Sequence, residues 1–536
     1  MLNSSFPTDT ELLFQAWTLW KSLESFRAER QRCKRYCYGD QWSDRVCVEG
    51  QWMPEAQYIR MQGSEPLKNN LIRRLVRSVL GIYRQQPRQM KCRARDADEQ
   101  QLADVMTVVL SCNQQLNRAG ELHARTLEEF LISGLAVLRK SFGMRRGRHD
   151  CWTDVVPPDR FFFDTQTTDF RGWDVGVVGQ LHDIPFSDLL THFATNGAQA
   201  EFLTKCYSPV DYQERIAAVL TDAGWGHPSP DFFTPVHLGR CRVVELWRRE
   251  VHPGFLCHDT IHGHLYRLDH PFYPDAENIG AENQLPPDDT GMQFFRHAPE
   301  QWHYYFLTPF GQVLAHGVTP YAHGAHPYVF RAYPYIDGEI HSFVADVIDQ
   351  QRYTNRLITL YDWVMRSSAK GVLLVPEECI PDGSCIEDIA AEWARFNGVI
   401  SVKTRNGTEL PRQMAANAVN IGINELLQTQ LALMEDISGV SASLQGKTSR
   451  TETSGTLYRQ QTNNARLSQL DLLDTFDDFL TDGAYLDLRN IQQFYDTQRV
   501  YHIAGKASTQ VVYDPARMGD IALDIEIAPK QSEQEE

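Results

Sequence analysis

The chain has 536 residues, 42% of them hydrophobic, which is material for several packed units of ordinary globular composition. Its net charge of -17 excludes a protein that grips nucleic acid through an overall basic surface, while leaving room for a local contact. The longest apolar runs, GVLLV and FLISGLAVL, fall far short of the roughly 18 to 20 residues that span a bilayer, so no membrane segment is expected. The N-terminal MLNSSFPTDTELLFQ lacks the charged-then-apolar order of a signal peptide, and synthesis in the cytoplasm is expected. Eleven scattered cysteines have no framework spacing and read as reduced thiols.

Residues 9–36 read as one helix, because Thr8-x-x-Glu11 has the form of a capping box and Leu13, Trp17, Trp20 and Leu23 recur at helical spacing. A second helix is expected over about 65–84, with Leu71, Leu75, Val79 and Ile82 on one stripe beside Arg73, Arg74, Arg77 and Arg84. Four such arginines can grip a phosphate, but a solvated or subunit-facing edge is the favoured reading. Residues 96–133 supply two more helical stretches. Alternating β-branched and aromatic segments then read as strands to about 184, and again over 242–251 and 303–318. The Pro-, Asp- and Gly-rich run 270–297 reads as a surface excursion. The fold class is therefore α+β. Two groups have ligand-type residues: Cys33 with Cys37, and Cys257, His258, His262 and His264. Neither has the paired CxxC of a structural zinc site, so both read as packing thiols and solvated histidines, and no metal or cofactor is expected.

From residue 341 to 368 the chain holds no Gly or Pro. It repeats Val344, Val347, Ile348, Ile358, Tyr361, Val364 and Met365 with helical spacing, which predicts one helix of ~42 Å at 1.5 Å per residue. Asp346 and Asp349 supply paired acids, but three apart on a helix they read as a solvated or ion-paired face rather than an acid–base couple. A second helix over 412–437 would be about 39 Å long, a match for the first. Between them KGVLLVP and GVISVKT read as strands flanking the helix CIEDIAAEWARF, an insert too small to bury a core alone. A polar loop, 438–454, and a third long helix from 455 to about 481–483 follow.

That loop contains GVSASLQGKTSRTETSG, whose Gly-Lys-Thr-Ser looks like the tail of a P-loop. A phosphate cradle needs a glycine five residues before Gly446, fed by a strand, so that backbone N–H groups converge on the phosphates. Ser441 stands there, and a helical pattern precedes it, so a packaging ATPase is the weaker alternative and no enzymatic activity is expected.

The order of long helix, small α/β insert, long helix, polar loop and long helix resembles the portal proteins of tailed bacteriophages, most of all the short-tailed type. YGDQW, NNLIRRLVRSVLGIYRQQP, VPPDRFFFDTQTTDFRGW, VIDQQRYTNRLITLYDWVMRSSAKGVLLVP and MEDISGVSASLQGKTSRTETSGTLYRQQ look like portal segments in portal order. The resemblance implies a ring, commonly a dodecamer, at one capsid vertex of the virion, through which double-stranded DNA is packaged and ejected. It implies a wing over 1–340, stem helices at 341–368 and 412–437, and a clip at 369–411 that docks the large terminase subunit and then a head–tail adaptor. It further implies a tunnel loop at 438–454, a wing helix at 455–483 and a short crown or C-terminal β segment at 484–536. Major capsid and scaffolding proteins are the other implied partners. Within the tunnel loop Gln445, Lys447 and Arg450 are the candidate DNA-contacting residues, able to meet phosphates without reading bases.

Overall fold

The computed structural model describes residues 7–85, 88–207, 231–237, 239–251, 254–259, 264–268, 292–370, 372–381, 383–394, 399–403, 410–414, 422–440, 467, 469–502, 510–519 and 521–529. The chain is α+β and divides into two compact units. The larger comprises residues up to 38, 72–346 and 439–536, and the smaller comprises 39–71 and 347–438.

The elements begin with α1 (Thr10–Ser22), α2 (Glu24–Tyr38), β1 (Arg45–Val48), β2 (Gln51–Pro54), α3 (Glu55–Met61) and α4 (Leu71–Gln85). Next come β3 (Arg88–Ala94), α5 (Gln100–Leu116), α6 (Ala119–Ser133), β4 (Leu135–Arg145), β5 (Arg148–Val155), β6 (Phe161–Phe163), β7 (Val177–Pro185), α7 (Phe186–Phe193) and α8 (Gly197–Cys206). The strands β8 (Arg240–Val251), β9 (Gly254–Asp259), β10 (His264–Leu268), β11 (Met292–His297), β12 (Glu300–Leu307), β13 (Val313–Val318) and β14 (Tyr328–Ala332) follow. The chain continues through α9 (Ile348–Lys370), β15 (Val372–Leu374), α10 (Ile386–Ala394), β16 (Arg412–Met414), α11 (Ile423–Ser438) and α12 (Leu470–Phe494). A hairpin of β17 (Arg499–His502) and β18 (Gln510–Tyr513) leads to β19 (Leu523–Pro529).

In the larger unit an antiparallel sheet of order β13-β12-β8-β7-β6 carries α1. The helix predicted over 9–36 is two helices, since Leu23 leaves the helical region (φ -93, ψ 16). Its cap is Asp9, whose carboxylate accepts from the Glu11 and Leu12 N–H groups at 3.1 and 3.0 Å. Leu12, Ala16, Trp20 and Leu23 form the buried face, and Trp20 meets Phe162 edge-on at 6.4 Å. Strands β7 and β6 close up only because position 179 is glycine: a Cβ there would stand 2.3 Å from the Phe162 ring and 2.6 Å from the Glu245 carbonyl. A second sheet, β14-β4-β5, packs under α12. At the end of α6, Gly134 has φ +77, and a Cβ would lie 1.8 Å from the His341 carbonyl oxygen.

Three expectations about this unit change. Residues 292–297 are a strand in the β10-β9-β11 sheet, so the excursion is shorter than composition suggests, and 269–291 lie outside the described residues. The third long helix is seen from Leu470, while 455–466 lie outside the described residues. It runs to Phe494, past the expected boundary near 484, because Ala484, Leu488 and Ile491 continue its buried face. The C-terminal strand β19 pairs antiparallel with β3 from Leu523↔Ala94 to Pro529↔Arg88, so the described part of the expected crown segment is built into the larger unit.

The smaller unit also departs from the pattern. Its helix α9 starts at Ile348 after a 3-10 turn, Ala345–Val347, not at 341. The N–H groups of His341 and Val344 are spent on the Pro334 and Leu131 carbonyls, and Ser342 Oγ caps Ala345 at 3.0 Å. The second helix starts at Ile423, not 412, because Arg412–Met414 pair as β16 with β15, Leu374↔Arg412 to Val372↔Met414. The described residues 399–403 of the expected strand GVISVKT form no ladder.

Candidate functional site

The helix α9 carries polar residues inward. Gln351, Asn355 and Thr359, spaced i, i+4, i+8, are 0%, 0% and 7% exposed. Asn355 Oδ1 accepts from the Asn69 N–H at 3.1 Å, and Gln351 accepts from the Leu71 N–H at 2.9 Å while donating to the Asn69 carbonyl at 2.7 Å. Thr359 Oγ1 accepts from the Leu67 N–H at 3.1 Å, and Asn355 Nδ2 donates to Gln41 at 2.7 Å. These bonds are why the helix expected from 65 begins at Leu71: side chains of α9 satisfy the backbone that would otherwise have wound into it. Nearby, the Glu55 carboxylate, 3% exposed, receives Arg352 at 3.2 Å and Arg356 Nε at 2.7 Å.

Much of the remaining surface of the helices is apolar and open. Tyr353, Leu360, Tyr361, Trp363 and Met365 on α9, with Leu426, Leu433 and Ile437 on α11, are 40% to 54% exposed. The two helices pack on each other, and Leu360 and Trp363 form one wall of a 460 Å³ cleft with Tyr58 and Ile59. Polar groups satisfied inside and large apolar groups left outside are the pattern of a surface meant to be covered. The Gln351, Asn355, Thr359 register was available in the sequence as a four-residue repeat. Such a repeat does not by itself point inward, because polar residues on a helix are ordinarily satisfied by solvent.

The sequence candidates fall as follows. Gln445, Lys447 and Arg450 lie outside the described residues; the chain before them leaves α11 at Ser438 and turns at Gly439, φ +63. Arg73 pairs with Glu128 and stacks on Tyr38 at 4.6 Å, while Arg74, Arg77 and Arg84 are exposed. Asp346 and Asp349 are exposed. Cys33 and Cys37 are buried on α2, and burial pushes the Cys33 thiol up to about 12, away from the thiolate a metal would need. Cys257 and His258 lie on β9 and His264 on β10, while His262 is outside the described residues. Among the described residues no three His, Cys, Asp or Glu side chains cluster.

Buried charges in the larger unit serve its packing. Lys140 and Asp487, 3% and 4% exposed, pair across β4 and α12, and Lys140 also donates to Thr153 at 2.9 Å. Burial pushes the Asp487 carboxyl up, and the Lys140 cation opposes it. Glu245, fully buried, accepts from Arg139 at 3.1 Å and Trp247 Nε1 at 2.7 Å and meets His182 at 2.6 Å. Burial works to raise its carboxyl, but Arg139 and His182 together hold it at about 2.

An α+β chain whose adjoining helices keep apolar faces open has the build of an assembling structural subunit. The family model described as phage P22-like portal protein matches residues 17–531, and the chain belongs to that family. It is thus a portal protein, a head-to-tail connector of the phage virion, in a family that is structural rather than catalytic and assembles as an oligomeric ring with capsid and packaging partners. No curated protein gives a significant match to the chain. Among the described residues no helix is long and apolar enough to cross a membrane.

Proposed function

We propose that twelve copies of this chain close into a ring at one capsid vertex and form the channel through which double-stranded DNA is packaged and later ejected. The observation that carries this reading is the large apolar surface left open on α9 and α11 while Gln351, Asn355 and Thr359 are sealed inside. Covering such faces with a neighbouring copy removes them from water in a closed ring. The helices α9 and α11 act as the stem. The insert between them, within 369–411, docks the large terminase subunit during packaging and a head–tail adaptor afterwards, and major capsid and scaffolding proteins meet the rest of the ring. The loop 438–454 faces the channel, where Lys447 and Arg450 against Glu452 set a narrow cationic belt, with Gln445 beside it, in an acidic particle. Such a belt touches phosphates without reading sequence, and the acidic surroundings let DNA slide.

Native mass spectrometry of the purified protein tests the ring. A closed oligomer of twelve is the expected result, and a 61.5 kDa monomer at high concentration under every salt condition defeats it. The belt is tested separately on particles with normal rings. Replacing Lys447 and Arg450 with glutamate should lower the genome retained in heads, and the difference from wild type should shrink in higher salt, where the wild-type contacts are screened as well. Retention equal to wild type leaves the loop a passive connector.

A further inference from the structure

The β1–β2 hairpin of the smaller unit faces two ways. Side chains alternate between the faces of a strand and directly opposed partners share one, so Val46 with Met53 lies on one side and Cys47 with Trp52 on the other. Burial agrees: Val46 and Met53 are half-buried, while Cys47 and Trp52 are exposed. The two-residue turn fixes the tip, since Glu49 and Gly50 both have positive φ, 51 and 82, the pair of conformations that fits the twist of a hairpin. Its base is tied as well, because the Glu55 and Ala56 N–H groups of α3 donate to the Asp44 and Trp42 carbonyls at 2.9 and 3.1 Å. Trp52, 67% exposed, thus stands out as a fixed apolar knob, and its indole N–H has no acceptor among the described residues.

The opposite face of the hairpin borders a hole. Val46 belongs to the wall of the 460 Å³ cleft, together with Tyr58 and Ile59 of α3 and Leu360 and Trp363 of α9, a volume within the roughly 300–1,000 Å³ of sites that receive ring-sized groups. A charged occupant is not called for, because the Arg356 guanidinium in the wall is spent on the buried Glu55 carboxylate at 2.7 Å. What fits is an apolar body with one polar atom: the walls are apolar, and the Tyr58 hydroxyl, Gln62 and Ser64 in the lining have no side-chain partner among the described residues. An indole supplies both. Knob and hole lie on opposite faces of one hairpin and cannot meet within a chain, but a second copy placed head to tail brings them together, as a closing ring needs two different patches on each subunit. We infer that Trp52 of each copy seats in the α3–α9 cleft of the next, its N–H bonded to Tyr58, Gln62 or Ser64. The contact continues the open apolar surface of α9, whose Leu360 and Trp363 it covers. This inference rests on the ring reading and adds to it the residue that fastens one copy to the next.

A photo-crosslinking side chain at this position, Trp52→p-benzoylphenylalanine, reads the contact out in purified full-length rings. The expected result after irradiation is a ladder of multiples of 61.5 kDa on a denaturing gel, with position 52 joined to the peptide 55–64 or 356–363 of a second copy. Trp52→Ala should raise the concentration at which rings half-dissociate by at least about tenfold, while leaving the circular dichroism of the dissociated chain unchanged. Tyr58→Ala should cost a similar factor, and the double variant no more than about twofold beyond the larger single effect, since the two side chains share one contact. Rings that assemble normally by native mass spectrometry but give no ladder, or a ladder joined elsewhere, overturn the inference and leave the ring reading standing. Full additivity of the two substitutions overturns it in the same way. A cross-link formed only in infected cells, to another virion protein, overturns it and assigns the knob to that partner. A wild-type monomer at every concentration defeats both readings.

Discussion

The larger unit hides Trp20, Phe161, Phe162, Phe163 and Trp247 in a continuous core and even buries paired charges, whereas the smaller leaves Trp363, Leu360 and Leu433 near half exposure while sealing glutamine, asparagine and threonine inside. The first is organised like a protein sufficient to itself. The second spends its satisfied hydrogen bonds on holding a segment of its own backbone and keeps its hydrophobic surface for something else. The lesson is that the amphipathic face of a helix does not by itself say which side is inside: the polar side wins when its groups find obligatory backbone partners.

The sharpest way to break the contrast is to remove a buried charge from the larger unit. Asp487→Ala leaves Lys140 buried without its counterion and should cost about 3–5 kcal/mol, seen as a large drop in the denaturation midpoint. A loss under about 1 kcal/mol would show that the pair is effectively solvated. Gly134→Ala is next: the side chain must adopt a left-handed conformation and push aside the His341 carbonyl, for roughly 2–4 kcal/mol by chemical denaturation. Near-wild-type stability would mean that the 341–344 segment relaxes freely.

A pH series sharpens the comparison further. The Glu245 carboxyl is held at about 2 in the folded protein, below the ~4.3 of an unfolded chain. Its stabilisation is therefore fully present above pH ~4.3 and lost as the pH falls toward 2, with a slope of at most ~1.4 kcal/mol per pH unit. Asp487, raised by burial, has the opposite sign, its contribution being lost as pH rises through its folded value. Glu245→Gln isolates the first effect and should flatten the acid limb of stability by up to one proton. An unchanged limb would place the acid sensitivity elsewhere. The smallest stability effect belongs to the smaller unit. Leu360→Glu and Leu433→Glu should change folding stability by no more than about 0.5 kcal/mol, yet shift native mass spectra from rings toward small species. Intact rings with both changes would show that these faces stay in water.

Much of this molecule is legible in the order of its residues. Helices at 100–116 and 119–133, the strands to 185 and the long helix after 347 follow from period and propensity, because each buries one face against the nearest core. The candidate site was less legible. Tyr361 and Met365 are legible as part of a helical repeat, but nothing local says that Gln351 and Asn355 will bond Leu71 and Asn69, some 280 residues earlier in the chain.

What the sequence determined by itself is the α+β class, the succession of long helix, insert and long helix, and the family likeness, since periodicity and composition are local properties that folding seldom overrides. Tertiary structure decided where those helices begin. Strand Arg412–Met414 forms where a helix was expected because Val372–Leu374 offers a ladder, and Leu523–Pro529 joins the larger unit because Arg88–Ala94 lies unpaired until it arrives. A backbone N–H must be satisfied by something. When the partner is distant in sequence, only the folded chain reveals which partner that is.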